Sequence, residues 1–401
     1  MVVAKSSSAS DPINNNCFPC SNGTTISLST LSPNSIIDAQ KGDPLAFESY
    51  WKQMSDECTV VIKGWELMSY YSDSSNMCWF MLPELRDEIE RLHHLVGNAV
   101  TKDKYIVVGN GSSQLFQAAL FALSPLDVPD HPINVISPTP YYSEYKNAIN
   151  ILHSRMFQWG GDAAVYDKNE SYIEVVTSPN NPDGTLRVPV VNSAAKGKLI
   201  HDLAYYWPQY TPITYEADHD VMLFTFSKCT GHAGSRIGWA IVKDIEVAKK
   251  MVTFVQSSSM GVSKESQTRA AKIIGVICDG YQNFKSIESE LFFEYSKRLM
   301  RERWENFRGA VEQSKVFTVT KYPRAYCNFT NEISETYPSF AWLKCEEGIE
   351  NAYNFLRKMN ICAREGERFG AADSKYVRVS MLVMEDEFNE LLKRLSNAKI
   401  E

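Results

Sequence analysis

The chain has 401 residues, 44% of them hydrophobic and 22% charged, the balance of an ordinary globular protein long enough for two or three lobes. Its net charge of −7 argues against a nucleic-acid binder, which carries a basic surplus. No apolar run approaches the length a bilayer core requires, so neither nucleic acid nor a membrane is expected as a partner.

Residues 1–40 are rich in Ser, Asn, Pro and Thr without apolar periodicity, which predicts a disordered leader. No charged stretch followed by an apolar one opens the chain, and the expected location is the cytoplasm. The nine scattered cysteines read as reduced thiols rather than a disulfide framework. Cys17-Phe18-Pro19-Cys20 has CxxC spacing but no second pair, so no metal or redox role is expected of it. The sequons at Asn22, Asn110, Asn169 and Asn328 read as chance matches.

From residue 41 the pattern is globular. Residues 43–51 carry a helical alternation, and residues 105–108 a strand that ends at Gly109-Asn110-Gly111. A helix is predicted from Ser112 onward, and further strands over 133–136, 172–176, 198–200 and 221–226. Short, nearly continuous apolar strands between helical stretches indicate a buried, mostly parallel sheet. A long charged amphipathic pattern over 283–315 predicts a connecting helix, and strands over 340–343 and 376–379 predict a smaller α+β lobe. The expected division is a leader over 1–40, a large lobe over 75–300, and a small lobe from 41–74 with 301–401.

Residues that carry chemistry sit at the ends of these strands. Lys228 follows the strand over 221–226, and Arg236 lies eight positions on, past a loop of mostly small residues. That spacing suits a lysine that holds an aldehyde cofactor through its amine while Ser227 and a guanidinium hold its phosphate. Gly109-Asn110-Gly111-Ser112-Ser113-Gln114 turns from strand to helix, and reads as a phosphate cradle or as a serine cap after a glycine turn. Tyr142, in Pro138-Thr139-Pro140-Tyr141-Tyr142, could stack on a flat ring or pack at the rim. Ser178-Pro179-Asn180-Asn181-Pro182-Asp183-Gly184 is a turn whose asparagine can donate to a phenolate. Asp202 ends another apolar strand, where a carboxylate is costly unless it pairs with a cation such as a pyridinium, or caps a helix. Tyr205 follows three residues later.

The order of these elements resembles the fold type I family of pyridoxal-phosphate enzymes, the aspartate aminotransferase superfamily. It is most similar to the plant tryptophan aminotransferase and alliinase branch. The stretches that carry the likeness are Leu67-Met68-Ser69-Tyr70-Tyr71-Ser72-Asp73, residues 106–112, residues 176–184, residues 223–228 on to Gly238-Trp239, and residues 261–267. The resemblance implies an α/β fold with a large, mostly parallel sheet domain and a smaller α+β domain. It implies that Lys228 bonds the cofactor and moves the substrate proton, and that Asp202 keeps the pyridine nitrogen protonated. Asn181 and Tyr205 would bond the ring oxygen, Tyr142 would stack on the ring, and Ser112, Ser113, Ser227 and Arg236 would hold the phosphate. Tyr70 would reach a phosphate in the neighbouring subunit, making a homodimer with shared sites. Arg378 would grip the substrate carboxylate, although by itself it reads sooner as an exposed strand arginine. Residues 365–370 resemble the loop that flanks the substrate.

The activity this implies is transamination from L-tryptophan to pyruvate or another 2-oxo acid, giving indole-3-pyruvate, the entry to auxin synthesis. A carbon–sulfur lyase of the alliinase type is the main rival. Such lyases are typically secreted and carry a cysteine-dense module, neither of which is expected here. A non-catalytic scaffold is a third reading, disfavoured by Lys228, Asp202, Tyr205 and Arg236 occurring together. Trp65, Tyr70, Tyr71 and Phe369 suit an indole pocket or the core equally.

Overall fold

A computed structural model of the chain describes residues 34–125, 131–191, 197–282 and 290–400. Cys17, Cys20 and the Asn22 sequon lie outside these residues, as does most of the expected leader. The leader boundary at residue 40 is too late. Ile37–Asp38 forms a short strand paired parallel with Ile361–Cys362, and Ile37 and Ala39 are buried. Ile37 supplies there the apolar anchor that the preceding polar stretch lacks.

The larger sheet has seven strands, side by side in the order Tyr105–Gly109, Gly238–Val242, Val221–Thr225, Gly197–Asp202, Tyr172–Thr177, Ile133–Ser137 and Phe157–Asp162. Every pairing is parallel except the two made by Gly238–Val242. Val107, Val108, Val135, Ile136, Ile173, Val175, Leu223 and Phe224 are all fully buried, as continuous apolar strands covered on both faces must be. Helix Gly111–Leu123 packs on the Val221–Thr225 and Gly238–Val242 strands. The expected sheet is therefore present, with Phe157–Asp162 and Gly238–Val242 added to it.

Residues 283–289 of the expected connecting helix lie outside the described residues, and the rest forms helix Phe292–Ser314. Its buried residues Phe292, Ser296, Met300, Arg303, Phe307 and Val311 recur at the three- and four-residue spacing of one helical face. The second sheet is antiparallel, in the order Arg364–Glu365, Tyr376–Ser380, Phe340–Cys345 and Phe317–Val319. Among the described residues no helix is long and apolar enough to cross a membrane, and all seven cysteines are free.

In the large sheet the strands ending at Gly109, Ser137, Thr177, Asp202 and Thr225 run the same way, so their C-terminal ends share one edge. The polar segments after these ends are brought together there, the edge at which open α/β sheets present ligands.

Candidate active site

A cavity of about 360 Å³ opens at that edge, lined by Ser112, Ser113, Tyr142, Asn181, Asp202, Tyr205, Ser227, Lys228 and Arg236. Lys228 sits in a short helix, Phe226–Cys229, whose start is capped by the Thr225 hydroxyl accepting from the Ser227 N–H at 3.3 Å. Gln209 Nε2 donates to the Lys228 and Cys229 carbonyls at 3.1 and 2.9 Å and fixes the turn. The Lys228 amine donates to the Gly42 carbonyl and lies 5.9 Å from the centre of the Tyr205 ring. Burial first, and the Arg378 charge second, lower its pKa to about 8. A lysine so placed reaches its neutral, nucleophilic form far more readily than one in water.

Asp202 is buried at the end of its strand. Its Oδ2 accepts from the Tyr145 hydroxyl at 2.6 Å and its Oδ1 from the Ala204 N–H at 3.1 Å. Burial raises its pKa, and these two hydrogen bonds oppose the rise. Asn181 Nδ2 donates to the Tyr205 hydroxyl at 3.4 Å. Burial holds the Tyr205 phenol well above its ordinary pKa, with Tyr142 adding to the effect, so Tyr205 is a neutral hydroxyl. Tyr142 stands edge-on to Tyr145, ring centres 5.3 Å apart.

The opposite end of the cavity depends on two close approaches. Gly111 opens its helix with φ +76°, and a Cβ there would lie 2.7 Å from Arg236 Nη2. A Cβ on Gly238 would lie 2.6 Å from the Ser112 backbone nitrogen. Glycine at both positions lets the first turn of helix Gly111–Leu123 meet the Arg236 guanidinium. The helix N-terminus and a cation thus converge on one spot beside Ser112, Ser113 and Ser227, which is an anion site by chemistry.

Arg378 is not an exposed strand arginine; it is 2% exposed. Its Nη1 donates to Asn181 Oδ1 at 3.0 Å and its Nη2 to the Gln40 carbonyl at 2.6 Å. Its guanidinium lies 3.8 Å from the Phe340 ring centre and 5.1 Å from that of Phe369. These rings and acceptors offset part of the cost of burying the charge. Burial lowers the Arg378 pKa to about 10, which leaves it a cation at neutral pH. Its Nε is buried without a partner.

Tyr70 is not brought to this cavity; its side chain is 66% exposed. Trp65 and Tyr71 are likewise exposed, and of the four aromatics considered for an indole pocket only Phe369 touches the site, through Arg378. Several contributors carry no signal in the sequence pattern: the carbonyls of Gln40 and Gly42, the ring of Phe340, and Tyr145, which is spaced one helical turn from Tyr142 but has no motif of its own.

The fold and site define a class. The chain aligns with the aspartate aminotransferase of Rhizobium meliloti over 91% of each chain, at 19% identity and a TM-score of 0.66, and its fold is that of the fold type I aminotransferases. The chain belongs to the allinase family, whose model matches residues 37–399. It is 52% identical over 364 residues to tryptophan aminotransferase-related protein 2 of Arabidopsis thaliana, covering 90% of this chain and 81% of that protein. It is also 39% identical over 365 residues to an alliin lyase of Allium cepa var. aggregatum, covering 88% of this chain and 80% of that one.

The residues fit pyridoxal phosphate, the cofactor the resemblance implies. The Gly111–Arg236 approach suits a phosphate, Asp202 offers a buried carboxylate to a pyridinium, and Lys228 offers an amine of lowered pKa. Arg378 is not among the residues lining the cavity and reaches it through Asn181.

Proposed function

We propose that the chain is a pyridoxal-phosphate-dependent aminotransferase. It transfers the amino group of an aromatic L-amino acid, foremost L-tryptophan, to pyruvate or another 2-oxo acid, and so makes indole-3-pyruvate for auxin synthesis. The observation that carries this reading is Arg378, a buried cation bonded to Asn181, whose charge reaches Lys228. An amino acid and a 2-oxo acid have an α-carboxylate in common, and a transaminase must grip both by it.

The cofactor, when bound, supplies an electron-poor ring that stabilises negative charge on the substrate α-carbon. The protein's part follows from its own residues. Ser112, Ser113, Ser227 and Arg236 would hold the phosphate, Tyr142 would cover the ring, Asp202 would accept the ring N–H, and Asn181 and Tyr205 would hold the ring oxygen. Lys228 Nζ would take and hold the proton of the substrate α-carbon, which its lowered pKa favours at neutral pH. In this reading residues 75–300 form the cofactor lobe, and residues 41–74 with 301–401 form the lobe that brings Arg378.

The protein acts as a homodimer in the cytoplasm, with Tyr70 reaching the partner's phosphate. Its exposure, together with that of Trp65, Met68 and Tyr71 at 70, 83 and 62%, supports a surface that a second copy covers. The similarity to an alliin lyase supplies the rival reaction, elimination from S-substituted cysteine sulfoxides. A panel of amino acids assayed with pyruvate as acceptor, and of cysteine sulfoxides assayed without it, separates the two. The aminotransferase reading expects indole-3-pyruvate and alanine from tryptophan. Pyruvate and ammonia released from the sulfoxides, with no oxo acid from tryptophan, would replace it by the lyase.

A further inference from the structure

Tyr145 is a buried group that the proposed chemistry leaves unused, and its hydroxyl bonds two residues that line the cavity, Thr177 and Asp202. It lies in helix Glu144–Leu152, and its ring is held between Phe116, 4.8 Å away on helix Gly111–Leu123, and Tyr142, 5.3 Å away. Its hydroxyl meets two adjacent strands at once. Thr177 and Asp202 are cross-strand partners in the parallel register, and the Tyr145 oxygen is 2.8 Å from Thr177 Oγ1 and 2.6 Å from Asp202 Oδ2. A phenol has one proton. Given to the carboxylate, it leaves the phenol oxygen free to accept, so Thr177 donates to Tyr145 and Tyr145 donates to Asp202.

We infer that Tyr145 is a positioning residue that sets how strongly Asp202 competes for the proton it shares with the cofactor ring nitrogen. The inference rests on the pyridoxal-phosphate reading of the cavity. Two strand ends and one helix fix the direction of the Tyr145 O–H bond, so one Asp202 oxygen is permanently engaged. A carboxylate that already accepts a short hydrogen bond is a weaker base. It leaves the proton on the ring nitrogen and stays an anion facing it. Burial and the neighbouring Asp202 charge keep the Tyr145 phenol well above its ordinary pKa, so the donor is in place throughout the neutral range.

The experiment reconstitutes the protein with ¹⁵N-ring-labelled pyridoxal phosphate and reads the ring nitrogen by NMR. In the unaltered protein the shift should be that of a protonated pyridine. Tyr145→Phe keeps the ring packing and removes the donor, and should move the shift toward the unprotonated value. Its kcat should fall roughly tenfold to a hundredfold, the size of one hydrogen bond to a charged group, while the KM values for tryptophan and pyruvate stay within about twofold. Thr177→Val removes the hydroxyl behind Tyr145 and should move the nitrogen shift the same way by less. An unchanged nitrogen shift in both variants, with the cofactor bound, overturns the inference. An unaltered protein that takes up no cofactor overturns the underlying reading instead, and the two failures are told apart by the cofactor's visible absorbance.

Discussion

The surroundings of Lys228 and the segment around Tyr70 are assigned to one active site by the resemblance, yet in a single chain they differ in almost every physical respect. Around Lys228 the polar groups are buried and bonded across distant parts of the sequence: Asp202 to Tyr145, Asn181 to both Tyr205 and Arg378, Arg378 to Gln40. Around Tyr70 the apolar side chains face outward, with Val61 80% and Met68 83% exposed. Buried polar groups without partners are costly, so folding alone forces the first region into one arrangement. Exposed apolar area has no such remedy within the chain and is relieved only against another surface. One region is closed by folding; in the proposed homodimer the other is closed by the second copy.

A region closed by folding should tolerate little change around Lys228. Asp202→Asn should keep the fold and lower turnover by orders of magnitude, because a neutral amide cannot hold a pyridinium charge. Unchanged turnover would mean that the ring nitrogen is held elsewhere. Arg378→Ala should weaken tryptophan and pyruvate alike, by roughly 2–5 kcal/mol each, since the carboxylate loses a buried charge-assisted partner. Steady-state KM values for both substrates check this, and a loss confined to tryptophan would make Arg378 a side-chain contact instead.

The Tyr70 half is sharpened by mixing chains. Co-expressed Lys228→Ala and Tyr70→Ala chains should form heterodimers with one intact site, recovering about a quarter of normal activity after random pairing. Lys228→Ala mixed with Asp202→Asn should recover nothing, because each chain then carries a defect in its own cavity. Equal recovery in the two mixtures would dissolve the distinction between the regions.

Much of the sheet was legible because its strands are apolar runs bounded by turn residues, as in residues 105–108 and 172–176. The strand Phe157–Asp162 escaped because Gln158, Gly160 and Gly161 interrupt its apolar run. Gly238–Val242 escaped because it follows so closely on the Lys228–Arg236 loop, and its antiparallel direction depends on that short connection. The leader boundary failed for want of a local signal: Ile37–Asp38 becomes a strand only against Ile361–Cys362. In the site, side chains from motifs readable in the sequence, from Ser112 through Arg236, line one cavity. Backbone acceptors did not announce themselves, because any residue can supply the carbonyls of Gln40 and Gly42. Phe340 and Phe369 flank Arg378 through tertiary packing alone, which no spacing rule reports.

In the proposed site Lys228 is the amine to which pyridoxal phosphate attaches. The direct measurement is borohydride reduction of the protein loaded with pyridoxal phosphate, followed by digestion and mass spectrometry of the peptides, repeated across a range of loading pH. A single phosphopyridoxyl adduct should appear on the peptide containing Lys228. Its rate of formation should rise with pH, pass half its maximum near 8 and level off above that, because the neutral amine is the nucleophile and the Lys228 pKa is lowered to about 8. An adduct on another lysine, or equal labelling of the Lys228→Ala protein, would contradict the account.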